Sequence, residues 1–377
     1  MPKLRSILFL LLIAGLVWFR YGDDYQQSGV GNVWQEMRSD VQTVKNSPIV
    51  SNAMETARVE LKRLYRQIRG FAEDHTENTK LPQVESPKLD QPEEQTFSIH
   101  NIEIMDTKST VESQLGDANR STLNEYGVEW HTYHEQYRNF VMVAYNDDNH
   151  VIGLFTNQDL ISSTNDISLG TEKSVVNQQL GEPLTAIKKG FVNYQINDNQ
   201  EQDTYLLEDN YVTIFYDVHQ NNTVAAIQII TKNLENKKKE YFASASDGLA
   251  EGLEYQLFDL TNAARAKFEK PLLDWHEPSR TTAQEHSQDM ADENYFGHTN
   301  LEGQSPFDRL ENDNIDFRMA GENLATGQPS SIFAHQGLMN SKGHRDNILH
   351  NDFRLMSVGV AFNQQAQPFY TEAYLTK

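Results

Sequence analysis

The sequence predicts an α+β protein in four parts: an N-terminal membrane helix, a stalk with a linker, a duplicated small α+β domain, and a C-terminal α–β–α sandwich. Three observations predict it. An uncharged apolar run opens the chain, and a polar stretch punctuated by prolines follows at some distance. A short sequence pattern then recurs once, each copy followed by apolar strand-like segments. Finally, helical periodicities come before and around two strand-like segments at the C-terminus, an order that favours helices layered on a small sheet. The boundaries fall at 1–22 (signal anchor or transmembrane segment), 23–95 (helical stalk and Pro-containing linker), 96–235 (the duplicated domain) and 241–377 (the C-terminal domain).

The first part decides the compartment. Lys3 and Arg5 precede Ile7–Phe19, which carries no charge. Positive flank and apolar run together form an export signal. A cleaved signal needs small residues at its end, but this run ends in Trp18, Phe19, Arg20 and Tyr21, which suit an interfacial anchor better. Counted from Leu4 the run is ~16 residues, short against the ~20 that span a bilayer. The expectation is a single-pass cell-membrane protein with its bulk extracytoplasmic, or a secreted one if the signal is cleaved.

Between Val30 and Phe71, Val59, Leu61, Leu64, Tyr65, Ile68 and Phe71 recur at roughly helical spacing, which predicts a solvated helical stalk. Glu73–Gln95 carries Pro82, Pro87 and Pro92 among polar residues and reads as a semi-extended linker.

The duplicated part rests on Val111–Asp117 (VESQLGD) and Val176–Glu182 (VNQQLGE), about 65 positions apart. Thr107–Thr110 and Thr171–Ser174 precede the two copies and suit helix caps. Phe140–Tyr145 and Val151–Phe155 follow the first copy as strands; Tyr211–Tyr216 and Val224–Ile230 follow the second. Asn146–His150 and Asp217–Asn222 read as the hairpin loops between them. The LG-[DE] turns and the EYG-x-x-W stretch, Glu125–Trp130, resemble the CAP-associated N-terminal domain. His131 and His134, beside Tyr133 and Tyr137, read as surface or interface residues.

In the last part, Asp247–Phe268 predicts an amphipathic helix, with Leu249, Leu253, Leu257, Leu260, Ala264 and Phe268 on one face, Asp247 as its N-cap and Pro271 enforcing its end. Ser279 is expected to cap a second helix to about Asn294, Ser305–Pro306 to start a third, and Ser330 or Ser331 a fourth. Met356–Phe362 and Phe369–Leu375 are the predicted strands.

Composition narrows the function. The 377 residues carry a formal net charge of −22. A field of that sign disfavours nucleic acid and anionic lipid headgroups as partners. With no cysteine, disulfides, thiolate metal sites and cysteine nucleophiles are absent, which suits an exported bacterial protein. No H-E-x-x-H or G-x-S-x-G occurs, so compact metalloprotease and serine-hydrolase motifs are lacking.

Several motifs occur in order after Tyr241: Asn262-Ala263-Ala264-Arg265, Pro271-Leu272-x-x-Trp275, His286-Ser287-x-Asp289-Met290, Tyr295-Phe296-Gly297-His298-Thr299, Gly321-Glu322-Asn323-Leu324, Ser341-x-Gly343-His344-Arg345-x-Asn347-Ile348-Leu349 and Phe369-Tyr370-Thr371-Glu372. In that order they resemble the CAP superfamily (SCP/PR-1-like) of bacterial type. The resemblance implies the CAP fold and a cleft lined by His298, Glu322 and His344. It implies His298 and His344 as ligands of zinc or another divalent cation, and Glu322 as the candidate that would activate water. A second cleft glutamate, which many members carry shortly before the last histidine, is missing: no Glu occurs from Ser330 to Gly343. Glu372 is the expected substitute. His286 reads as a packed core histidine, and His335 and His350 as surface residues. Arg265, Asn323 and Asn347 read as structural hydrogen-bonders, and Asp289 as either structural or functional. The expected function is a non-enzymatic binding module for a cell-envelope ligand or protein. The alternatives are a metal-dependent hydrolase or peptidase using the same cleft, and a structural surface scaffold.

Overall fold

The computed structural model describes residues 84–189, 192–195 and 201–377, all within the compact unit Thr76–Lys377. The N-terminal apolar run, the stalk helix expected before Phe71 and Pro82 lie outside these residues. Among the described residues, no helix is long and apolar enough to cross a membrane. The described end of the linker has no regular secondary structure but is tied down. The Glu103 carboxylate accepts the backbone N–H groups of Glu93 (2.7 Å), Glu94 (2.9 Å) and Gln95 (2.7 Å), pinning the strap to the folded body.

The repeat domain runs β1 (Phe97–Ile99), α1 (Lys108–Leu115), β2 (Arg120–Leu123), β3 (Glu129–Glu135), β4 (Arg138–Tyr145), β5 (Val151–Thr156) and β6 (Ile161–Ser163). The second copy follows as α2 (Lys173–Leu180), β7 (Ala186–Lys189), β8 (Val192–Gln195), β9 (Gln202–Leu207), β10 (Asn210–Asp217), β11 (Thr223–Thr231) and the short α3 (Lys232–Lys237). Both recurring LG turns end their helices in the same way. Gly116 and Gly181 sit at φ 77° and 82°, where an L side chain is strained, so helix stops at the preceding leucine. Thr107 caps α1 as expected, accepting from Thr110 N at 3.2 Å. The second lead behaves differently: Glu172 holds the N-cap position without a side-chain bond, and Thr171 Oγ1 accepts from Ser168 N instead.

The two copies meet in one antiparallel sheet of order β2-β3-β4-β5-β11-β10-β9, joined where β5 pairs with β11. Both of its faces are covered. One carries Val111 and Val176 from α1 and α2; the other places Trp130, Phe140, Met142 and Phe215 against Leu260, Ala263 and Ile332 of the C-terminal domain. This is why β4 and β10 are apolar with little alternation: every residue of Phe140–Tyr145 and Asn210–Asp217 is buried.

The C-terminal domain comprises α4 (Asp247–Lys267), β12 (Asp274–Trp275), α5 (Glu277–Glu293), α6 (Pro306–Asn312), β13 (Met319–Thr326), α7 (Ser331–Asn340), α8 (Lys342–Ile348), β14 (Leu355–Phe362) and β15 (Pro368–Thr376). Its sheet has the order β12-β14-β15-β13, with α5 packed on β14 and β15 and α4 on β14. Three local expectations are corrected. The N-cap of α4 is Ser246, which accepts from Leu249 N, and Asp247 falls in the first turn. Helix α5 starts two residues before Ser279, with Pro278 in its first turn, which leaves Ser279 buried and bonded to Ser357 Oγ at 2.8 Å. The Gly321–Leu324 signature is an edge strand, a third long strand that the sequence pattern does not announce.

Helix α4 is buried on most of its circumference because it lies between two sheets. Its polar residues are therefore partnered. Glu254 binds Arg280 and accepts from Val360 N, Asp259 accepts from Arg120 Nε (3.0 Å) and the Tyr137 hydroxyl (3.1 Å), and Gln256 donates to Leu123 O (2.9 Å). Asp259, Gln256 and Leu123 tie the two domains together across this helix. Burial pushes the Asp259 carboxyl up to about 6 even with Arg120 beside it.

Candidate functional site

Edge strand β13 positions the site by its alternation. Glu322 is opposite Ala373, and Ala373 is opposite Ser357, which touches Ser279 of α5; Glu322 therefore faces the α5 side of the sheet. Its neighbour Asn323 is opposite Glu372, and Glu372 reaches Thr261 of α4. Glu322 and Glu372 consequently lie on opposite faces. The expectation that Glu372 joins the cleft is corrected: its side chain is fully buried, accepting from Asn323 Nδ2 (2.9 Å) and the Tyr374 hydroxyl (2.6 Å). Burial pushes its carboxyl up to about 7.

On the α5 side, Glu322 meets His298, which lies in the loop between α5 and α6. Its Oε1 is 2.8 Å from His298 Nδ1, and its Oε2 accepts from Arg309 Nη2 at 2.6 Å. Arg309 stands in α6, whose start is fixed by a reciprocal capping box between Ser305 and Asp308. The same guanidinium donates to the carbonyls of His298 (2.9 Å) and Gln304 (3.2 Å), so one arginine holds the loop at both ends. The side chains of Glu322 and Arg309 are 6% and 8% exposed, whereas His298 is 48% exposed. Donation from Nδ1 to the carboxylate fixes the orientation of the imidazole ring. His286 supports the loop from beneath: it is buried, as expected, and its Nε2 donates to Gly297 O at 3.1 Å. Asp289 accepts from the Tyr295 hydroxyl at 2.5 Å, a structural role.

The histidine signature is positioned through two asparagines. Asn323 Nδ2 donates to His344 O (3.1 Å), and Asn347 Nδ2 donates to Asn323 Oδ1 (2.8 Å) and Glu322 O (3.2 Å). These bonds fasten α8, which carries His344, to the strand that carries Glu322. Arg265 closes the other end of α8, donating to Ile348 O (2.7 Å) and His350 O (2.9 Å). His344 is half-buried. His335 is corrected from surface to core: it is fully buried, and burial pulls it down to about 3. His350 is half-buried, with its ring 5.0 Å from that of Phe353. His131 and His134 are half-buried, and His134 stacks on Tyr137 at 4.1 Å, next to the domain junction.

Among the described residues, no three His, Asp or Glu side chains are gathered so as to hold a metal ion. A structural metal needs about four protein ligands and a catalytic zinc three. The donor set therefore does not fit a tightly held resident metal.

The family models match in the order the motifs suggested. A CAP-associated N-terminal model matches residues 104–241, and a model described as the cysteine-rich secretory protein family matches residues 258–374. This is a bacterial-type CAP protein with a CAP-associated N-terminal domain. Among solved structures, an extracellular protein containing an SCP domain from Bacillus anthracis is similar over 78% of this chain and 100% of its own, with a TM-score of 0.64 and 24% identity. A cysteine-rich secretory protein from Staphylococcus aureus covers 73% of this chain and 94% of its own, with a TM-score of 0.57 and 14% identity. At those identities the likeness concerns fold. The uncharacterized membrane protein YlbC of Bacillus subtilis is 27% identical over 293 residues, 71% of this chain and 80% of YlbC. The uncharacterized protein YkwD of the same species is 36% identical over 124 residues, 33% of this chain and 47% of YkwD.

One residue of the CAP-domain site escaped the sequence reading. Arg309 has no motif around it beyond the Ser305–Pro306 helix start. Only the fold shows that one helical turn later its guanidinium reaches Glu322.

Proposed function

We propose that the chain is a membrane-tethered, extracytoplasmic binding module that recognises a cell-envelope component through the CAP-domain cleft around His298. The observation that supports this reading best is the commitment of Glu322. Each of its oxygens is engaged, one by His298 and one by Arg309. A carboxylate held in two charge-assisted bonds orients the imidazole and balances the guanidinium; it is poorly placed to take a proton from water. Solvent instead meets the His298 edge together with Phe296 and Leu301 of the same loop, 52% and 65% exposed. An exposed imidazole on a loop that also exposes apolar side chains suits a ligand with an apolar body and a hydrogen-bonding group. The membrane placement is supported by Lys3, Arg5 and the apolar run after them, and by the name of the YlbC relative.

For zinc or another divalent cation, His298 and His344 are the protein ligands this reading offers, with water completing the shell and affinity correspondingly weak. The hydrolase alternative draws on the His298–Glu322 pair, which has the form of a base and its orienting carboxylate.

The test is co-sedimentation of the full chain with isolated bacterial cell envelopes, run beside Phe296→Ser/His298→Ala, with calorimetric titration of zinc into the wild type and His298→Ala/His344→Ala. Envelope retention that falls at least tenfold in the first variant supports the cleft. Equal retention removes the cleft from binding. Micromolar zinc binding that is lost in the histidine variant shifts the balance to the hydrolase.

A further inference from the structure

A cavity of about 100 Å³ lies at the junction of the CAP-associated and CAP domains, and it shares no residue with the His298 cleft. Its apolar wall comes from both sides. Tyr126, Tyr211 and Ile230 belong to the repeat domain, and Pro329 and Phe333 to the CAP domain. Phe333 is itself fixed edge-on against Phe215, with ring centroids 5.2 Å apart.

Two polar side chains that line this cavity are left incomplete. Glu125 is 3% exposed, and its Oε2 has no hydrogen-bond partner; Gln228 is 2% exposed, and its Nε2 has none. A buried polar atom left unpaired forfeits the hydrogen bond it would make to water, with nothing in return. One cavity thus offers an unused acceptor and an unused donor within an aromatic and aliphatic wall.

The charges present favour a neutral occupant. Glu125 and Glu235 share the cavity with Lys238, whose ammonium sits 4.9 Å from the centre of the Tyr126 ring. Burial pushes Glu125 up to about 7, with Lys238 only partly opposing it. An anion would meet two carboxyls, and a cation would compete with a lysine already in place. An amide is a small neutral group that carries its donor and its acceptor on separate atoms, as a separate acceptor and donor in the wall require.

We propose that this interdomain cavity binds a small neutral molecule headed by a carboxamide. The amide N–H donates to Glu125 Oε2, the amide oxygen accepts from Gln228 Nε2, and a short apolar body lies against Tyr211 and Phe333. A cavity of about 150 Å³ accommodates benzene, so this one takes roughly four to six heavy atoms. Because both domains build the wall, the ligand also strengthens their docking.

Isobutyramide is the probe, with isobutyrate and isobutylamine as charged isosteres, each titrated to about 100 mM into the full chain in detergent. The methyl signals of Ile187 and Ile230, which line the cavity, are the readout. Saturable shifts with isobutyramide, at least tenfold weaker with either charged isostere, are expected. Gln228→Leu should retain or raise the melting temperature, because it removes an unpaired donor, and should weaken isobutyramide at least tenfold. The proposal is overturned by no saturable shift, by a stronger response to a charged isostere, or by equal binding in Gln228→Leu. A lower melting temperature in that variant also overturns it, since Nε2 would then be held by the fold or by bound water.

Discussion

Gly252 tests how closely the two domains are docked. It lies inside α4, where alanine normally stabilises a helix by about 1 kcal/mol over glycine. A Cβ at this position would stand 2.1 Å from the carbonyl oxygen of Leu123 in the repeat domain. Carbon–oxygen contacts settle at about 3.3–3.6 Å, so α4 and β2 would have to part by about 1.2–1.5 Å. That movement also pulls on the Gln256 Nε2 bond to the same carbonyl, now 2.9 Å long. Overpacking costs about 1–3 kcal/mol and the hydrogen bond about 1 kcal/mol. Against the helix gain, the expected result for Gly252→Ala is a net loss of about 1–3 kcal/mol. Gly337 in α7 is the control, since its added Cβ would meet nothing closer than Gln328 Nε2 at 4.0 Å. Gly337→Ala should raise stability by roughly 0.5–1 kcal/mol. At about 2–4 °C per kcal/mol, the melting temperatures should move apart by several degrees in opposite directions. A Gly252→Ala protein as stable as Gly337→Ala would refute the close docking.

Three further outcomes follow from named contacts. Ser246→Ala should cost about 1 kcal/mol and Asp247→Ala less, as read by urea unfolding; the reverse order would restore Asp247 as the cap. Arg309→Met should cost about 3–5 kcal/mol by leaving Glu322 buried beside an apolar chain, and adding Glu322→Gln should recover part of it; losses that simply add would show that the pair is not coupled. For Glu372, burial raises the carboxyl to about 7, so the folded state holds its proton more tightly than the unfolded chain, and ionisation weakens the fold as pH rises from about 4.5 to 7. The stability of the wild type relative to Glu372→Gln should therefore fall across that window, and a flat difference would contradict the buried, partnered position of this carboxyl.

Much of the chain is legible one residue pattern at a time. The LG turns announce where α1 and α2 stop because only glycine adopts their backbone without strain, and the two copies end at φ 77° and 82° accordingly. The Ser305–Pro306 start appears as a capping box, because the groups that make it are three residues apart. The CAP resemblance rests on ordered signatures, and those signatures prove to be structural ties: Asn323 with Asn347, and Arg265 with the carbonyls of Ile348 and His350.

What the sequence by itself determined was thus the class of the long helices and of the most apolar strands, the duplication and the family. The tertiary structure alone decided which side chains meet. Strand alternation sends Glu322 and Glu372 to opposite faces, although the family resemblance led to both being expected in the cleft. Arg309 joins the site because α6 folds back on β13, and His335 is buried because α7 packs against α4 as well as the repeat domain. Local pattern records propensity and burial along one element. The partner of a charge is set by a second element far away in sequence, and only the packing of the two brings them within reach.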